Sequence, residues 1–176
     1  MKKILIVTIL FFSTICFAQD IKTDYDKFTK VKKISLEDNI KLKTDDNDKN
    51  TERFFLNIYK IMDNADTLFY LHVHINSYYN SYCGEGMKAI LLLNDTSTIN
   101  LSSITGDWEA KSGNYLAAYY LNYRLSKSDL TRLYNSNKIE IKCYVTELSF
   151  QGIFTKENKK EFNNYLKKYL LVNIAK

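Results

Sequence analysis

Residues 54–77 read FFLNIYKIMDNADTLFYLHVHINS, and this stretch decides the class of fold. In its first half, the better core face is the one that carries Phe54, Leu56, Ile58, Lys60 and Met62. In its second half, one face carries Phe69, Leu71, Val73 and Ile75. A period of two places these side chains on one side of a β-strand. Because Asp63, Asn64 and Asp66 between the halves are turn formers, the stretch predicts a β-hairpin.

The remaining sequence extends this sheet and adds two helices. Apolar and polar residues also alternate along 139–145, and the 14 Tyr and 10 Phe residues favour strands. Ser126 and Asp129 have the spacing of a capping box, which predicts a short helix near 127–135. An amphipathic pattern predicts a second helix near 156–172. The expected fold is mainly β (α+β), an antiparallel β-sandwich or strongly curved sheet of about 7–9 strands.

The first 18 residues have the plan of a cleavable secretory signal. Lys2 and Lys3 precede an apolar run of about 14 residues, which is shorter than the roughly 20 needed to span a bilayer, and small Ala18 ends it. We therefore expect a signal peptide over 1–18 and one sheet-rich domain over 19–176, exported to the periplasm, the cell surface or the medium. Cys16 leaves lipid attachment open as an alternative, although the residue before it is not small.

Charge and size narrow the class of protein further. Without Lys2 and Lys3, the 25 basic residues become 23 against 20 acidic ones, a net charge of +3. This balance does not indicate a nucleic-acid partner. The mature chain is of single-domain size and predicts no transmembrane segment. It also has no cofactor motif, and no motif specific enough to assign a family, so we expect no cofactor.

Two cysteines remain after cleavage, Cys83 and Cys143. An even number of cysteines in an exported protein predicts a disulfide, which would stabilise the fold by about 4 kcal/mol in the chain-entropy model. Two free thiols are the alternative, because sequence does not show that the side chains meet.

His72 and His74 are the only histidines, and their spacing places them on one face of a strand. Such a pair can share a metal ion if a third ligand such as Cys83 lies near. It could also activate the Cys83 thiol as a nucleophile. The structural alternative, that both rings lie on the partly wet face of the strand, explains the pattern without chemistry.

Aromatic residues cluster in two segments predicted as loops, 78–86 and 105–114. Tyr78, Tyr79 and Tyr82 lie in the first, and Trp108, the single tryptophan, lies in the second. Exposed Tyr and Trp side chains stack on sugars and anchor protein interfaces, and function concentrates in loops on a rigid scaffold. These four residues are the candidate binding surface, although aromatic residues also pack inside sheets.

Three functional hypotheses follow. The first is an exported, non-catalytic binding or structural module of the bacterial cell envelope or secretome, with a protein or glycan partner. The second is a metal- or thiol-dependent hydrolase that uses His72, His74 and Cys83. The third is an exported inhibitor or immunity-type protein, which differs from the first only in its partner.

Overall fold

The computed structural model describes residues 21–44, 51–63, 66–111 and 116–171. The predicted signal peptide, residues 1–18, lies outside these ranges. Within them the chain forms ten strands and two α-helices. The strands are β1 (Ile21–Tyr25), β2 (Lys32–Leu36), β3 (Ile40–Thr44), β4 (Thr51–Asp63), β5 (Asp66–Ser77), β6 (Lys88–Leu93), β7 (Ser97–Lys111), β8 (Leu116–Leu125), β9 (Ile139–Val145) and β10 (Leu148–Ile153). The helices are α1 (Lys127–Asn135) and α2 (Lys156–Tyr165), and a π-helical segment, Leu166–Leu170, continues α2.

Eight of the strands close into an antiparallel β-barrel, in the order β4, β3, β10, β9, β6, β7, β8, β5, with β5 pairing back onto β4. The predicted hairpin forms that closing pair, from Phe54 opposite Ile75 to Asp63 opposite Asp66. The mainly antiparallel sheet with two helices is confirmed, although the described residues form ten strands rather than the expected 7–9, because β1 and β2 add to the eight of the barrel. It curves until its edges meet rather than splitting into the two layers of a sandwich, and closure leaves β4 and β5 no free edge within the barrel.

Strands β1 and β2 extend the sheet beyond the barrel. A polar turn at residues 37–39 joins β2 to β3. The two strands do not pair with each other. Instead they lie end to end along the same edge of β4, with Ser35 opposite Tyr59 and Ile40 opposite Leu56.

Apolar side chains at alternate positions along the strands fill the barrel interior, as the sequence predicted. Along β5, Phe69, Leu71, Val73 and Ile75 are buried, whereas the residues between them face outward and are half-buried. Strand β9 buries Ile139, Ile141, Cys143 and Val145 in the same way. Each such burial stabilises the fold by about 1.5–3 kcal/mol. Large side chains occupy the interior, among them Tyr119, Tyr123, Phe54 and Phe150.

The two helices cover one end of the barrel. The predicted capping box at Ser126 starts α1, and Thr155 caps the start of α2. Tyr165 is the last residue of α2, and its hydroxyl group donates a hydrogen bond to the Ile34 carbonyl at 3.1 Å. The regular α-helix ends at Tyr165, because the segment that follows it is π-helical. The predicted end of the helix, residue 172, lies outside the described residues.

Candidate functional site

The opposite end of the barrel is covered by residues 78–86, which we call the cap loop. It connects β5 to β6 and is held at Ser103, a buried residue at a β-bulge of β7. The Ser103 hydroxyl donates to the Gly84 carbonyl at 3.0 Å and accepts from the Met87 amide at 2.9 Å. The Gly86 amide donates to the Ser103 carbonyl at 2.9 Å. The hydroxyl and the carbonyl of Ser103 together fix the end of the loop that leads into β6.

Two further side chains hold the tyrosine-rich part of the cap loop. The Tyr119 hydroxyl, inside the barrel, donates to the Tyr79 carbonyl at 2.6 Å. Burial raises the pKa of Tyr119, so its hydroxyl stays protonated as a donor at neutral pH. The Thr146 hydroxyl, in the turn between β9 and β10, donates to the Tyr82 carbonyl at 2.7 Å. Both bonds use backbone acceptors, so they leave the tyrosine side chains of the loop free to face outward.

Gly106 allows the cap loop to lie directly on strand β7. A Cβ atom at this position would be 2.3 Å from the Gly84 carbonyl oxygen, closer than any side chain can approach. The predicted loop over 105–114 is wrong for residues 105–111, whereas 112–114 lie outside the described residues. β7 continues to Lys111, so Trp108 lies on a strand, paired with Tyr119 of β8.

The structure exposes all four aromatic residues of the predicted binding surface. Tyr78 is 53% exposed, Tyr79 51%, Tyr82 67% and Trp108 40%. We call these four side chains the aromatic cap. Trp108 belongs to the same end of the barrel as the loop, because its strand partner Tyr119 donates to the Tyr79 backbone. The fold thus brings two distant sequence segments to one end of the molecule.

His72 and His74 lie on the outer face of β5, half-buried, as the structural alternative proposed. His72 Nδ1 is 3.0 Å from Asn122 Oδ1, and His74 Nε2 is 3.0 Å from Asn76 Oδ1. His74 also stacks on Tyr120, with ring centroids 4.7 Å apart. Across the described ranges, no group of three or more His, Cys, Asp or Glu side chains is arranged to hold a metal ion.

The two cysteines are buried in the core, and both are free thiols. The predicted disulfide is therefore not formed in this structure. Burial raises the pKa of Cys83 to about 11 and that of Cys143 to about 12. A thiol with such a pKa stays protonated at neutral pH and is a poor nucleophile. Cys83 faces the core, whereas the two histidines face outward, so the structure does not assemble a thiol–imidazole pair.

Among the described residues, no helix combines the length and the apolar character needed to cross a membrane.

No protein-family model, curated protein or solved structure matches this chain significantly.

Two features that shape the site carried no sequence signal. Ser103 anchors the cap loop through contacts with residues 16 to 19 positions away, and Asn122 orients His72 across 50 positions. An isolated serine or asparagine within a strand gives no local pattern that would reveal such a partner.

Proposed function

We propose that this protein is an exported binding module of the bacterial cell envelope or secretome, and that it captures a protein or glycan partner on the aromatic cap. Export rests on the signal-like segment 1–18. Capture rests on one observation above all: Tyr78, Tyr79, Tyr82 and Trp108 are exposed on a backbone that interior side chains hold in place.

The physical argument is preorganisation. Large apolar side chains are costly to leave in water, and Tyr and Trp side chains lose little entropy on binding because they have few rotatable bonds. Binding to a loop that is already fixed avoids the entropy cost of ordering it. Three anchors, Ser103, Tyr119 and Thr146, fix the cap loop while using only its backbone. The exposed rings are therefore available to a partner without rearrangement.

The hydrolase hypothesis gains no specific support. Cys83 is buried with a raised pKa, and His72 is engaged with Asn122 on the other side of the barrel wall. An inhibitor or immunity-type protein would bind its target through the same aromatic cap. This hypothesis therefore differs from the first only in the identity of the partner.

Retention on cell envelopes tests the proposal. Mature protein, residues 19–176, is incubated with isolated envelopes, and the bound amount is compared for Tyr82→Ser and Phe28→Ser. Phe28 is a matched control, because it is 86% exposed in the turn between β1 and β2. We expect Tyr82→Ser to lower retention at least tenfold and Phe28→Ser to leave it unchanged.

Treatment of the envelopes identifies the class of partner. Loss of retention after protease digestion indicates a protein, and loss after glycan-degrading enzymes indicates a polysaccharide. The proposal would be contradicted if the wild type were retained through neither a protein nor a polysaccharide. It would also be contradicted if Tyr82→Ser and Phe28→Ser lowered retention equally. N-terminal sequencing of the exported protein tests the other half of it, since we expect the chain to begin at Gln19.

A further inference from the structure

A polar groove of about 280 Å³ lies on the outer wall of the barrel, away from the aromatic cap. Residues of β2, β4, β5 and β8 line it, and none of them is acidic. They are Lys33, Ser35, Asn57, Tyr59, His72 and Asn122. The strand register explains this convergence, because His72 pairs with Asn57 on one side and with Asn122 on the other. Neighbouring strands thus point these side chains out of the same face.

Asn122 fixes the protonation pattern of His72. The Asn122 amide group donates to Thr105 Oγ1 at 2.9 Å, which turns its Oδ1 atom toward His72 Nδ1 and the Tyr59 hydroxyl. Oδ1 can only accept, so His72 carries its proton on Nδ1 and keeps a lone pair on Nε2. Burial lowers the pKa of His72, which keeps the ring neutral at neutral pH. His72 therefore offers the groove a hydrogen-bond acceptor.

Asn57 offers a second acceptor. Its amide nitrogen donates to the Leu36 carbonyl at 3.1 Å and to Asn39 Oδ1 at 2.9 Å, which fixes the orientation of the side chain. Its Oδ1 atom is buried and accepts no hydrogen bond from the described residues, and Asn57 as a whole is only 8% exposed. Buried acceptors in folded proteins are nearly always paired. A donor supplied by a bound molecule would satisfy this one.

The opposite side of the groove is cationic. Lys33 Nζ lies 4.3 Å from the centroid of the Tyr59 ring, and no described carboxylate forms an ion pair with it. Ser35, which is opposite Tyr59 in the register, adds a hydroxyl group. Asp24 is opposite Lys33 in the register but forms its ion pair with Lys22. The Lys33 ammonium can therefore attract an anionic group, to which the Ser35 hydroxyl can also donate.

We propose that this groove binds a small anionic polyol, a sugar that carries a carboxylate or a phosphate. The acidic group lies at Lys33 and Ser35, and two hydroxyl groups donate to His72 Nε2 and Asn57 Oδ1. The volume of the groove, about 280 Å³, is just below the range of roughly 300–1,000 Å³ for drug-sized ligands, which suits a ligand of the size of one sugar. This site shares no residue with the aromatic cap, so the sugar-binding proposal and the envelope-binding proposal can be tested independently.

Titration of the mature protein with four probes tests the inference. D-glucuronate and D-glucose 6-phosphate carry both required features, whereas D-glucose and inorganic phosphate each carry one. We expect at least one of the first two to bind at least tenfold more tightly than glucose or phosphate, and to shift the nitrogen NMR signal of His72 Nε2. Which of the two binds identifies the acidic group.

Lys33→Gln is the decisive variant, and Lys142→Gln is its control. Lys142 also lies over a tyrosine ring, that of Tyr144, with Nζ 5.5 Å from the centroid, but it borders a different groove that contains Glu140. We expect Lys33→Gln to weaken binding about tenfold and Lys142→Gln to leave it unchanged. Failure of both acidic sugars to bind, binding of glucose as tight as theirs, or equal effects of the two variants would overturn the inference.

Discussion

The Tyr119 hydroxyl and the Tyr79 carbonyl are 2.6 Å apart, and their hydrogen bond joins the interior of the barrel to the loop that covers its end. Tyr119 is fully buried between the strands, with its ring packed near that of Phe150 at a centroid distance of 5.5 Å. Tyr79 exposes half of its side chain to solvent. The core of the barrel thus positions part of the surface that we propose to bind a partner.

Replacing Tyr119 by Phe removes this bond while keeping the ring. We expect the free energy of unfolding to fall by about 0.5–1.5 kcal/mol, and the backbone amides of the cap loop to exchange faster with solvent. Hydrogen exchange followed by mass spectrometry of the loop peptide measures the second effect. Tyr120→Phe, on the outer face of the same strand, is the control. Equal exchange in both variants would show that the bond does not hold the loop.

Gly106→Ala tests the close approach of the cap loop to β7. The added methyl group would lie 2.3 Å from the Gly84 carbonyl, so the loop must move away. Overpacking of this kind costs about 1–3 kcal/mol. Gly86→Ala serves for comparison, because it meets open space and bears only the strain of a positive φ of 83°. Urea unfolding should show the larger loss for Gly106→Ala together with weaker partner retention. Wild-type retention in that variant would contradict the role of the anchored loop.

The buried position of His72 predicts a pH dependence of stability. Its pKa in the folded protein is lower than the ordinary value of 6.5, because burial disfavours the charged ring. Below pH 6.5 the unfolded chain therefore binds a proton that the folded protein does not, and the free energy of unfolding decreases as pH falls toward the folded pKa. In His72→Gln this contribution is absent. Urea titrations at pH 7 and pH 5 should show a larger loss for the wild type than for the variant, and parallel losses would contradict this assignment.

The thiols of Cys83 and Cys143 can be counted directly. Since both are free and buried, we expect the native mature protein to resist a maleimide reagent and the unfolded protein to react at two positions without prior reduction. Mass spectrometry of the labelled protein gives the count. No reaction after unfolding, followed by two reactions once a reductant is added, would establish the disulfide that the sequence predicted for the exported protein.

Local alternation carried most of the information that the sequence holds about the fold. The inward faces of β5 and β9 and the start of α1 at Ser126 were all predictable, because periodicity and capping depend on neighbouring residues. Closure into a barrel was not, since it depends on pairing between strands far apart in the chain, such as β10 with β3. The apolar run of β6 gave no clear alternation either, and its Ile90 and Leu92 line an outer groove.

The sequence singled out the residues of the candidate site but not the contacts that hold them in place. The tyrosine-rich segment and Trp108 stood out by composition, and Tyr78, Tyr79, Tyr82 and Trp108 are exposed in the structure. Gly106 misled the sequence interpretation, because glycine marks turns far more often than it marks a strand pressed against another backbone. The groove at His72 could not be predicted from the sequence, because its Asn57 and Asn122 partners lie on other strands.

Retention of a double cap variant on cell envelopes tests the central claim most directly. Tyr82→Ser with Trp108→Ser is compared with Tyr25→Ser and Phe28→Ser, a control pair whose side chains are more exposed than Trp108. Circular dichroism establishes that both variants stay folded. The account predicts that the cap variant loses at least nine-tenths of its retention while the control pair keeps the wild-type level. Wild-type retention of a folded cap variant would show that the aromatic cap is not the binding surface.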